Sequence, residues 1–502
     1  MDNLSGLWDQ AASSFPGNTA VIHDGVEYSY EALDALIRGF SAGLRDGLGM
    51  RPGDRVALVM PNCLHSIVCY LGAVRAGVVA LPVNIRLKPE EMRFILQDAG
   101  ARALVAHEKV WATVDQAMQG VDSIEHVIGV GKLGGTSIDV SELRGREDRS
   151  WGFEAASDDV AAIIYTSGTT GLPKGAMITH GNVLFNVQAT IRGHGFRPED
   201  LHTLIVPLFH VTGLNTIMPT AFHQGASLLV TDRTDPAEVL PLIEQYGATT
   251  FFGVPTTMIL LAQAPGVGEY DLASLRLIAY SGAPMPVRTI QRLRELFPGV
   301  KLHNFFGLTE TTSVTTVLPD EQALERPESV GKAAPGLETK IVDEEGRSLN
   351  AGQVGELLIR GPSIVKGYYN RPEATAEAIV DGWLHTGDTA FIDEEGYVFL
   401  QGRQKEMIIV AGENVYPVEV ENVLTRHGAV AEAAVIGQPH SILGEVVKAV
   451  IVLRPGMEPD EQELKRFCVE RLASFKVPQS FELRASLPRN PSGKVVKRRL
   501  RQ

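Results

Sequence analysis

The sequence is poor in cysteine, in aromatic residues and in positive charge. Its 502 residues include three cysteines and 7% aromatic residues. Cys63, Cys69 and Cys468 are too few for a disulfide framework and lack the spacing of metal ligands, so a reducing compartment, the cytoplasm, is expected. There are 46 Lys and Arg against 60 Asp and Glu, and the resulting net charge of −14 argues against nucleic acid as a main partner.

Long hydrophobic runs are also missing. The longest apolar stretches, within residues 56–83, are interrupted by Pro61, Asn62, His65 and Arg75. A membrane helix needs about 18 or more uninterrupted apolar residues, so no membrane span is expected. The N-terminus has an early acid and no apolar core, which predicts no signal peptide. An apolar content of 44% and a charged content of 21% are ordinary for a soluble globular protein.

Short apolar runs alternate with helical patterns through the first 300 or so residues. Residues 55–59 and 78–83 predict strands, and residues 64–75 between them predict a helix. Residues 30–44 place apolar side chains on one helical face behind Ser29, a plausible N-cap. Strands separated by helices are typical of parallel sheets covered on both faces, so the predicted fold class is α/β.

The pattern changes twice towards the C-terminus. After about residue 318, short strands such as residues 355–360 and 396–401 are separated by turns and predict a β-rich subdomain. From residue 403 onwards, strands and helices alternate in a way that suggests a small, separate α+β domain. We therefore expect an N-terminal domain over residues 1–402 and a mobile C-terminal domain over residues 403–502.

Residues 165–175, YTSGTTGLPKG, form the clearest motif. They follow an apolar strand and combine hydroxyl side chains with three glycines around Lys174. Glycines allow close approach of the backbone, and N–H groups, hydroxyls and an ammonium suit phosphate oxygens. Pro173 occupies the place of the second glycine in the Walker pattern, so the motif is not a P-loop. A flexible surface loop is the alternative interpretation.

The loop resembles the signature of the adenylate-forming superfamily, which includes acyl-CoA synthetases, aryl-CoA ligases and luciferases. Further motifs of that superfamily follow in its order. They are VPLFHVTG (206–213), YSGAPMP (280–286), NFFGLTETT (304–312), GWLHTGD (382–388), GRQKEMIIVAGENVYPVEVE (402–421) and LPRNPSGKVVKR (487–498). Together with the loop they span about two thirds of the chain, and the total length also agrees.

The resemblance implies a two-step reaction that uses ATP, Mg²⁺ and coenzyme A. A carboxylate attacks the α-phosphate of ATP, which gives an acyl-adenylate and pyrophosphate, and a thiol then attacks the adenylate carbonyl. Both groups that react in the first step are anions, so the site must supply positive charge and positioning.

The resemblance also implies the catalytic residues. Lys494 matches the catalytic lysine, although a solvated cation in a basic tail is the alternative interpretation. Glu310 matches the magnesium-binding glutamate, and Thr309 beside it would contact the α-phosphate. His210 matches a histidine that gates the carboxylate entrance, although a lone histidine after an apolar strand is often a buried structural residue.

Nucleotide-binding positions follow from the same resemblance. Asp388 would accept hydrogen bonds from both ribose hydroxyls, and Arg403 would add a donor. The predicted adenine slot includes Phe305 and Phe306, and for each of them packing in the core is an equal alternative to stacking on the base. Besides Asp388 and Arg403, the predicted nucleotide contacts are Thr166, Ser167, Gly168, Thr169, Thr170, Lys174, Gly282, Ala283, Pro284, Asn304, Phe305, Phe306 and Gly307.

The C-terminal domain of the superfamily rotates between the two steps. Lys405 corresponds to the hinge, where one residue would absorb the change in backbone angles. After rotation, residues 410–414 would line a thiol tunnel, with Ala411, Gly412 and Glu413 at coenzyme A. Many relatives have Ser-Gly-Gly here, so Ala411 weakens this assignment slightly.

The resemblance places the acyl pocket in four segments that contain no cation. The residues expected there are Val211, Thr212, Thr216, Thr256, Ser281 and Leu308. Relatives that activate malonate have an arginine after G-V-P-T, whereas this chain has apolar residues there, so a dicarboxylate would lack a partner. We expect an apolar monocarboxylate, either a medium-chain fatty acid or an aryl acid, and the sequence does not choose between them.

Coenzyme A is the expected acceptor, and three alternatives stay open. The first is a carrier protein, which would be a separate partner because no carrier domain follows Gln502. The second is a nucleophile other than a thiol. The third, a binding protein without activity, is disfavoured because Lys174, Glu310, Asp388, Arg403 and Lys494 are all present. The acidic composition gives no indication of the oligomeric state.

Overall fold

The structure is a computed structural model. It describes residues 2–134, 137–143, 152–166, 173–283, 285–403, 406–410, 413–440, 443–490 and 494–501.

Within these described residues, α-helices lie between most of the strands of the first two thirds of the chain. They are α1 (Leu4–Ser14), α2 (Tyr30–Ala42), α3 (Leu64–Arg75), α4 (Pro89–Ala99), α5 (Trp111–Met118), α6 (His180–His194), α7 (Met218–Gln224), α8 (Pro236–Tyr246), α9 (Pro255–Gln263), α10 (Val287–Leu296), α11 (Pro372–Ala378), α12 (Pro417–Thr425) and α13 (Glu461–Val469). A π-helix (Thr212–Ile217) precedes α7, and a 3₁₀ turn (Thr309–Thr311) lies between two strands.

The strands are numbered in chain order. Those of the first half are β1 (Thr19–His23), β2 (Val26–Ser29), β3 (Arg55–Val59), β4 (Val79–Pro82), β5 (Ala103–His107), β6 (His126–Val130), β7 (Ile138–Asp139), β8 (Val160–Thr166), β9 (Lys174–Thr179), β10 (Leu201–Leu204), β11 (Ser227–Val230) and β12 (Thr250–Gly253). Those of the second half are β13 (Leu277–Ser281), β14 (Lys301–Phe306), β15 (Thr316–Leu318), β16 (Ser329–Ala333), β17 (Glu338–Val342), β18 (Gly355–Arg360), β19 (Ile379–Val380), β20 (Trp383–Ile392), β21 (Val398–Arg403), β22 (Ile408–Val410), β23 (Glu413–Val415), β24 (Val430–His440), β25 (Gly444–Leu453) and β26 (Ser480–Leu483).

The described strands form three sheets. One sheet has the order β7-β6-β5-β3-β4-β8-β9, and only its last pair is antiparallel. A larger sheet runs β17-β18-β20-β21-β16-β15-β14-β13-β12-β10-β11-β1-β2, with β19 paired to β20. In this sheet, neighbouring strands are parallel along β14-β13-β12-β10-β11-β1. Neighbouring strands are antiparallel along β17-β18-β20-β21-β16-β15-β14.

The third sheet belongs to the C-terminal part. It has the order β23-β22-β25-β24 with β26 beside β25, and α12 and α13 pack on it around buried residues such as Val420 and Leu464. This part contacts the rest of the chain through α12 and β21, and Arg426 at the end of α12 forms an ion pair with Glu328.

The predicted elements agree closely with the structure. Ser29 caps α2 by accepting from the N–H of Ala32, and Leu33, Ile37 and Phe40 are buried on one face of that helix. The predicted strands at residues 55–59 and 355–360 are β3 and β18. The β-rich part is not separate, because β15 and β16 join its strands to the parallel sheet. The domain boundary at residues 402 and 403 stays a prediction.

No helix in the described part of the chain has both the length and the apolar character needed to cross a membrane.

Candidate active site

Most predicted site residues follow the carboxyl ends of strands. Thr166 ends β8, Ser281 ends β13 and is followed by Gly282, and Phe306 ends β14 and is followed by Gly307. β13 and β14 are parallel neighbours in one sheet, so their carboxyl ends lie at one edge, where ligands bind in α/β proteins. Thr166 ends a strand of another sheet, and its hydroxyl nevertheless lies 3.5 Å from Glu310 Oε1, across 144 positions of the chain.

The predicted phosphate loop, residues 165–175, is described only at its two ends, residues 165–166 and 173–175. Thr166 pairs with Lys174 across the hairpin of β8 and β9, so the threonine hydroxyl and the lysine stand on either side of the loop. Ser167, Gly168, Thr169 and Thr170 lie outside the described residues. Their predicted contacts with phosphate stay predictions.

Glu310 lies in the 3₁₀ turn after β14, next to Thr309. Its Oε1 accepts a hydrogen bond of 2.9 Å from the Tyr368 hydroxyl, and the Thr166 hydroxyl is 3.5 Å from the same oxygen. Gly307 enables this turn, because a Cβ there would lie 1.2 Å from the carbonyl oxygen of Ser313. A carboxylate is thus positioned next to Thr166 at the end of β8.

Asp388 and Arg403 face each other on the paired strands β20 and β21. Arg403 Nε is 2.6 Å from Asp388 Oδ1, and Arg403 Nη1 donates to the carbonyl of Thr386 at 3.0 Å. Burial raises the pKa of Asp388 to about 6, although the charges of Arg403 and Lys494 act in the opposite direction. Asp388 Oδ2 is buried and has no hydrogen-bond partner among the described residues.

Lys494 joins this group from the C-terminal part of the chain. Its backbone N–H donates to Asn490 Oδ1 at 2.8 Å, and the Asn490 N–H donates back to its carbonyl at 2.8 Å. Lys494 keeps solvent-exposed surface, but the surrounding protein removes enough hydration to lower the pKa of its ammonium. Arg403 lowers this pKa further, whereas Asp388 and Glu310 raise it, so all three groups are within electrostatic reach.

His210 is half-buried beside the ring of Phe209, with ring centroids 4.8 Å apart. Burial lowers the pKa of His210 to about 4, and the charges of Lys494 and Arg86 act in the same direction. The imidazole is therefore neutral near pH 7. It lies close enough to Lys494 to respond to its charge, as expected for a residue near the reacting carboxylate.

The predicted adenine slot is only partly open. Phe305 is 3% exposed, and its ring packs edge-on against His194 and Phe252, so its position corresponds to the core-packing alternative and not to a stacking role. Phe306 keeps exposed surface. Asn304 is buried and donates to the carbonyl of Ser329 at 2.9 Å. Gly282 and Ala283 are exposed, and Pro284 lies outside the described residues.

The predicted acyl-pocket residues differ in their surroundings. Val211, Thr212, Ser281 and Leu308 are partly buried, as expected for a pocket wall. Thr216 differs, because it is fully buried and its hydroxyl accepts from Asn186 Nδ2 at 3.1 Å.

Thr256 also differs, because it is exposed in the first turn of α9. Lys405, Ala411 and Gly412 lie outside the described residues, as does the side chain of Glu413. The hinge and thiol-tunnel assignments therefore stay predictions.

Tyr368 was not predicted as a site residue, although it contacts Glu310 directly. It lies in the sequence KGYYN, which precedes α11 and carries no pattern typical of phosphate or metal binding. Its contact with Glu310 spans 58 residues of the chain and depends on the register of a loop, so periodicity gave no indication of it.

The residues present fit both a nucleotide and a magnesium ion. Asp388 Oδ2 is a buried acceptor to which no described residue donates, which suits a ribose hydroxyl. Glu310 offers a hard oxygen ligand of the kind that Mg²⁺ prefers. The described residues contain no cluster of three or more His, Cys, Asp or Glu able to hold a metal, so phosphate oxygens and water would complete the coordination.

A carboxylate beside the end of β8, a partly buried ion pair between β20 and β21, and two unequal parts of the chain are typical of a nucleotide-binding enzyme. The sequence matches the AMP-binding enzyme family over residues 8–369 and the C-terminal domain of AMP-binding enzymes over residues 419–494. The chain belongs to the AMP-binding enzyme family.

Known relatives agree with this assignment. The chain is 35% identical to a fatty acid–[acyl-carrier-protein] ligase of Streptomyces coeruleorubidus, over 97% of this chain and 93% of the relative. It is also 35% identical to a feruloyl-CoA synthase of an Amycolatopsis species, over 99% and 98%. The crystal structure of the anthranilate CoA ligase AuaEII with anthranoyl-AMP superposes with a TM-score of 0.92 at 28% identity, over 99% of this chain and 96% of that chain.

These similarities confirm three predictions made from the sequence. The chain is an adenylate-forming enzyme, its fold class is α/β with a large N-terminal and a smaller C-terminal part, and its enzyme class is that of AMP-forming acid–thiol ligases.

Proposed function

We propose that this enzyme activates an apolar monocarboxylic acid with ATP and transfers the acyl group to coenzyme A. The first step gives an acyl-adenylate and pyrophosphate, and the second gives an acyl-CoA thioester and AMP. The observation that carries the proposal is the geometry of the site, where Glu310 lies beside Thr166 and Asp388 pairs with Arg403. Lys494 lies close enough for the charges of Glu310, Asp388 and Arg403 to act on its pKa.

Lys494 supplies the positive charge that the first step requires. The acid and the α-phosphate repel each other, and an ammonium between them offsets that repulsion as the new bond forms. Lys174 at the start of β9 adds a second cation for the phosphates. When bound at Glu310, Mg²⁺ neutralises charge on the phosphates and on the departing pyrophosphate.

Asp388 binds the ribose. Its unpartnered Oδ2 accepts a hydrogen bond from a hydroxyl, while Arg403 holds Oδ1. A ligand hydroxyl stabilises the charged carboxylate, so nucleotide binding lowers the pKa of Asp388 from about 6 and releases a proton near that pH.

The relatives support the substrate class. Their names refer to a fatty acid and to ferulate, which is an aryl acid. The four partly buried residues of the predicted pocket carry no charge, and an uncharged wall favours an acid without a second carboxylate. His210, neutral near pH 7, lines the carboxylate entrance without attracting the anion away from Lys494.

Lys494→Ala tests the proposal. Without the ammonium, formation of the acyl-adenylate falls by at least about 100-fold, since a charge-assisted contact in the transition state is lost. Transfer from a supplied acyl-adenylate to coenzyme A stays within about threefold of the wild-type rate, because the C-terminal domain rotates Lys494 away for that step. The two half-reactions are measured separately, by pyrophosphate exchange and by thioester formation.

Arg498→Ala is the matched control for this test. Arg498 is an exposed cation four positions further along the same basic tail, so its removal leaves both half-reactions unchanged. Equal losses in the two half-reactions of Lys494→Ala would contradict the domain rotation. An unchanged adenylation rate would contradict the catalytic role of Lys494.

Loading of a carrier protein is a second candidate function. The relative from Streptomyces coeruleorubidus, which shares 35% identity, is a ligase of this kind. Its acceptor is a pantetheine thiol on a protein, so the chemistry of both steps is unchanged. Acyl-adenylate that reacts with a pantetheine-bearing carrier protein and not with free coenzyme A, as measured by mass spectrometry of both products, would favour this function.

A further inference from the structure

Residues 365–371, which we call the bracing segment, connect the phosphate loop to the turn of Glu310. The N–H of Val365 donates to the carbonyl of Glu310 at 3.0 Å. Further along, the segment pairs with β9, because the N–H of Tyr369 donates to Gly175 and the N–H of Met177 donates to Gly367, at 2.8 and 2.9 Å. One short stretch of backbone is therefore bound to both sides of the site.

The side chain of Tyr368 lies between two functional groups. Its hydroxyl donates to Glu310 Oε1 at 2.9 Å, and Lys174 Nζ lies 5.1 Å from the centre of its ring. The hydroxyl orients the carboxylate, and the face of the ring attracts the ammonium. The side chain of Tyr368 thus contacts both the carboxylate of Glu310 and the ammonium of Lys174.

A second set of contacts fixes the bracing segment at its far end. Arg371 Nη2 is 2.5 Å from Asp98 Oδ1, and the Tyr165 hydroxyl donates to Asp98 Oδ2 at 2.6 Å. Asp98 on α4 therefore connects the bracing segment to Tyr165, the first residue of the motif at residues 165–175. Anchoring at both ends restricts the movement of Tyr368.

The direction of the hydrogen bond between Tyr368 and Glu310 follows from the two groups. The phenol donates its O–H, and the carboxylate oxygen of Glu310 accepts it.

We propose that Tyr368 is a positioning residue for the metal and the phosphates, which holds the Glu310 carboxylate in the orientation that binds Mg²⁺ and keeps Lys174 beside it. The proposal rests on the proposed function for its catalytic consequence. The geometry also predicts an effect on binding of MgATP, which can be measured without turnover.

Tyr368→Phe is the central variant, because it removes the hydroxyl and keeps the ring that faces Lys174. Loss of a charge-assisted hydrogen bond raises the Mg²⁺ concentration needed for half-maximal ATP binding by about tenfold. Calorimetric titration of ATP at a series of Mg²⁺ concentrations measures this shift, and the KM for the acid is unchanged. Tyr368→Leu also removes the ring and weakens ATP binding by a further factor of about two to five.

Tyr369→Phe is the matched control. This neighbouring tyrosine is partly buried, and its ring packs against the hydrophobic core around β3 and β5, so loss of its hydroxyl leaves the Mg²⁺ dependence unchanged. We expect the thermal unfolding midpoints of the two Phe variants to agree within about 2 °C. A difference in their Mg²⁺ dependence then does not arise from a difference in folding.

The Glu310→Gln background decides whether Tyr368 acts through Glu310. In that background, Tyr368→Phe has no further effect on the Mg²⁺ dependence of ATP binding. An undiminished effect there, or equal behaviour of Tyr368→Phe and Tyr369→Phe, overturns the proposal. Normal MgATP binding with no acid-dependent exchange in the wild-type enzyme would contradict the proposed function instead, and the binding experiment would still test Tyr368.

Discussion

The two oxygens of the Asp388 carboxylate have different surroundings. The residue is 6% exposed, Oδ1 is held by Arg403, and Oδ2 has no partner in the part of the chain that the structure describes. A buried acceptor that lacks a donor destabilises the ligand-free protein. We interpret this cost as the consequence of a site built for a hydroxyl of the nucleotide.

Asp388→Asn therefore changes how stability depends on pH. The folded pKa of about 6 lies above 3.8, the ordinary value for an aspartate, so the stabilising contribution of the protonated acid is fully present only well below pH 3.8 and is lost as the pH rises through 6. Relative to the wild type, the unfolding free energy of the variant rises by about 2 kcal/mol between pH 4 and 7. Denaturant unfolding of the ligand-free proteins at several pH values measures this difference.

Asp381→Asn serves as the control for that experiment. Asp381 is exposed and has a φ of 51°, a left-handed conformation that asparagine also tolerates, so its replacement leaves the pH dependence unchanged. Parallel unfolding curves for the wild type and Asp388→Asn from pH 4 to 7 would show that Asp388 is not the buried acid described here.

The turn between β14 and β15 is the element on which the position of Glu310 depends. Thr312 and Ser313 both have positive φ values, 58° and 112°, and the carbonyl of Ser313 lies against Gly307. The turn is further held by Thr311, whose hydroxyl accepts from the N–H of Leu308 at 2.8 Å. The sequence GLTETTS therefore encodes both the carboxylate and the close approach that places it.

Gly307→Ala disrupts this element. Its Cβ would lie 1.2 Å from the Ser313 carbonyl oxygen, so the backbone of the turn must move and Glu310 moves with it. We expect a loss of stability of about 1–3 kcal/mol and a loss of ATP–pyrophosphate exchange of more than about tenfold. Thermal unfolding and exchange rates measure the two effects.

Gly39→Ala provides the contrast at a glycine inside a helix. Its Cβ would meet nothing within 4 Å, so the substitution stabilises α2 by about 0.5–1 kcal/mol and leaves exchange unchanged. Wild-type exchange in Gly307→Ala would contradict the dependence of Glu310 on the turn.

Elements were easier to predict from the sequence than contacts between them. The cap at Ser29 and the apolar face of residues 33, 37 and 40 are local signals, and α2 follows from them. Phe305 and Phe306 have the same local signal, and only the pairing of β14 with its neighbours shows that Phe305 faces the core. The contact between Tyr368 and Glu310 depends on where two distant segments meet, and no local pattern encodes that.

At the scale of the whole molecule, charged side chains meet where the two parts of the chain are in contact. Arg426 pairs with Glu328 there, and both side chains are about half exposed. Arg454 approaches Arg288, and burial followed by this like charge lowers the pKa of Arg454. These two contacts of the described residues add little attraction, so we expect a weak interface, as the proposed rotation of the C-terminal domain requires.

Arg426→Gln has a small effect that depends on salt. Exposed ion pairs contribute up to about 1 kcal/mol, so the adenylation rate falls by less than about fivefold and the thioester step does not slow. The difference from the wild type disappears at about 1 M salt, where charges are screened within a few ångströms. Rates of both half-reactions at low and high salt measure this.

Arg347→Gln is the corresponding control, because Arg347 forms exposed ion pairs with Asp343 and Glu345 within one turn. It leaves both half-reactions unchanged at either salt concentration. A decrease of more than about tenfold in Arg426→Gln that persists at high salt would contradict a weak interface.

The most direct test of the central claim is acid-dependent ATP–pyrophosphate exchange with fatty, aryl and dicarboxylic acids, repeated as product formation with coenzyme A. The account predicts exchange with fatty or aryl monocarboxylic acids, none with dicarboxylic acids, and the CoA thioester of the same acid. Exchange without a thioester product would indicate that the acyl acceptor is a carrier protein or another nucleophile, not coenzyme A. No exchange with any acid would contradict the claim that the residues around Lys494 form an adenylating site.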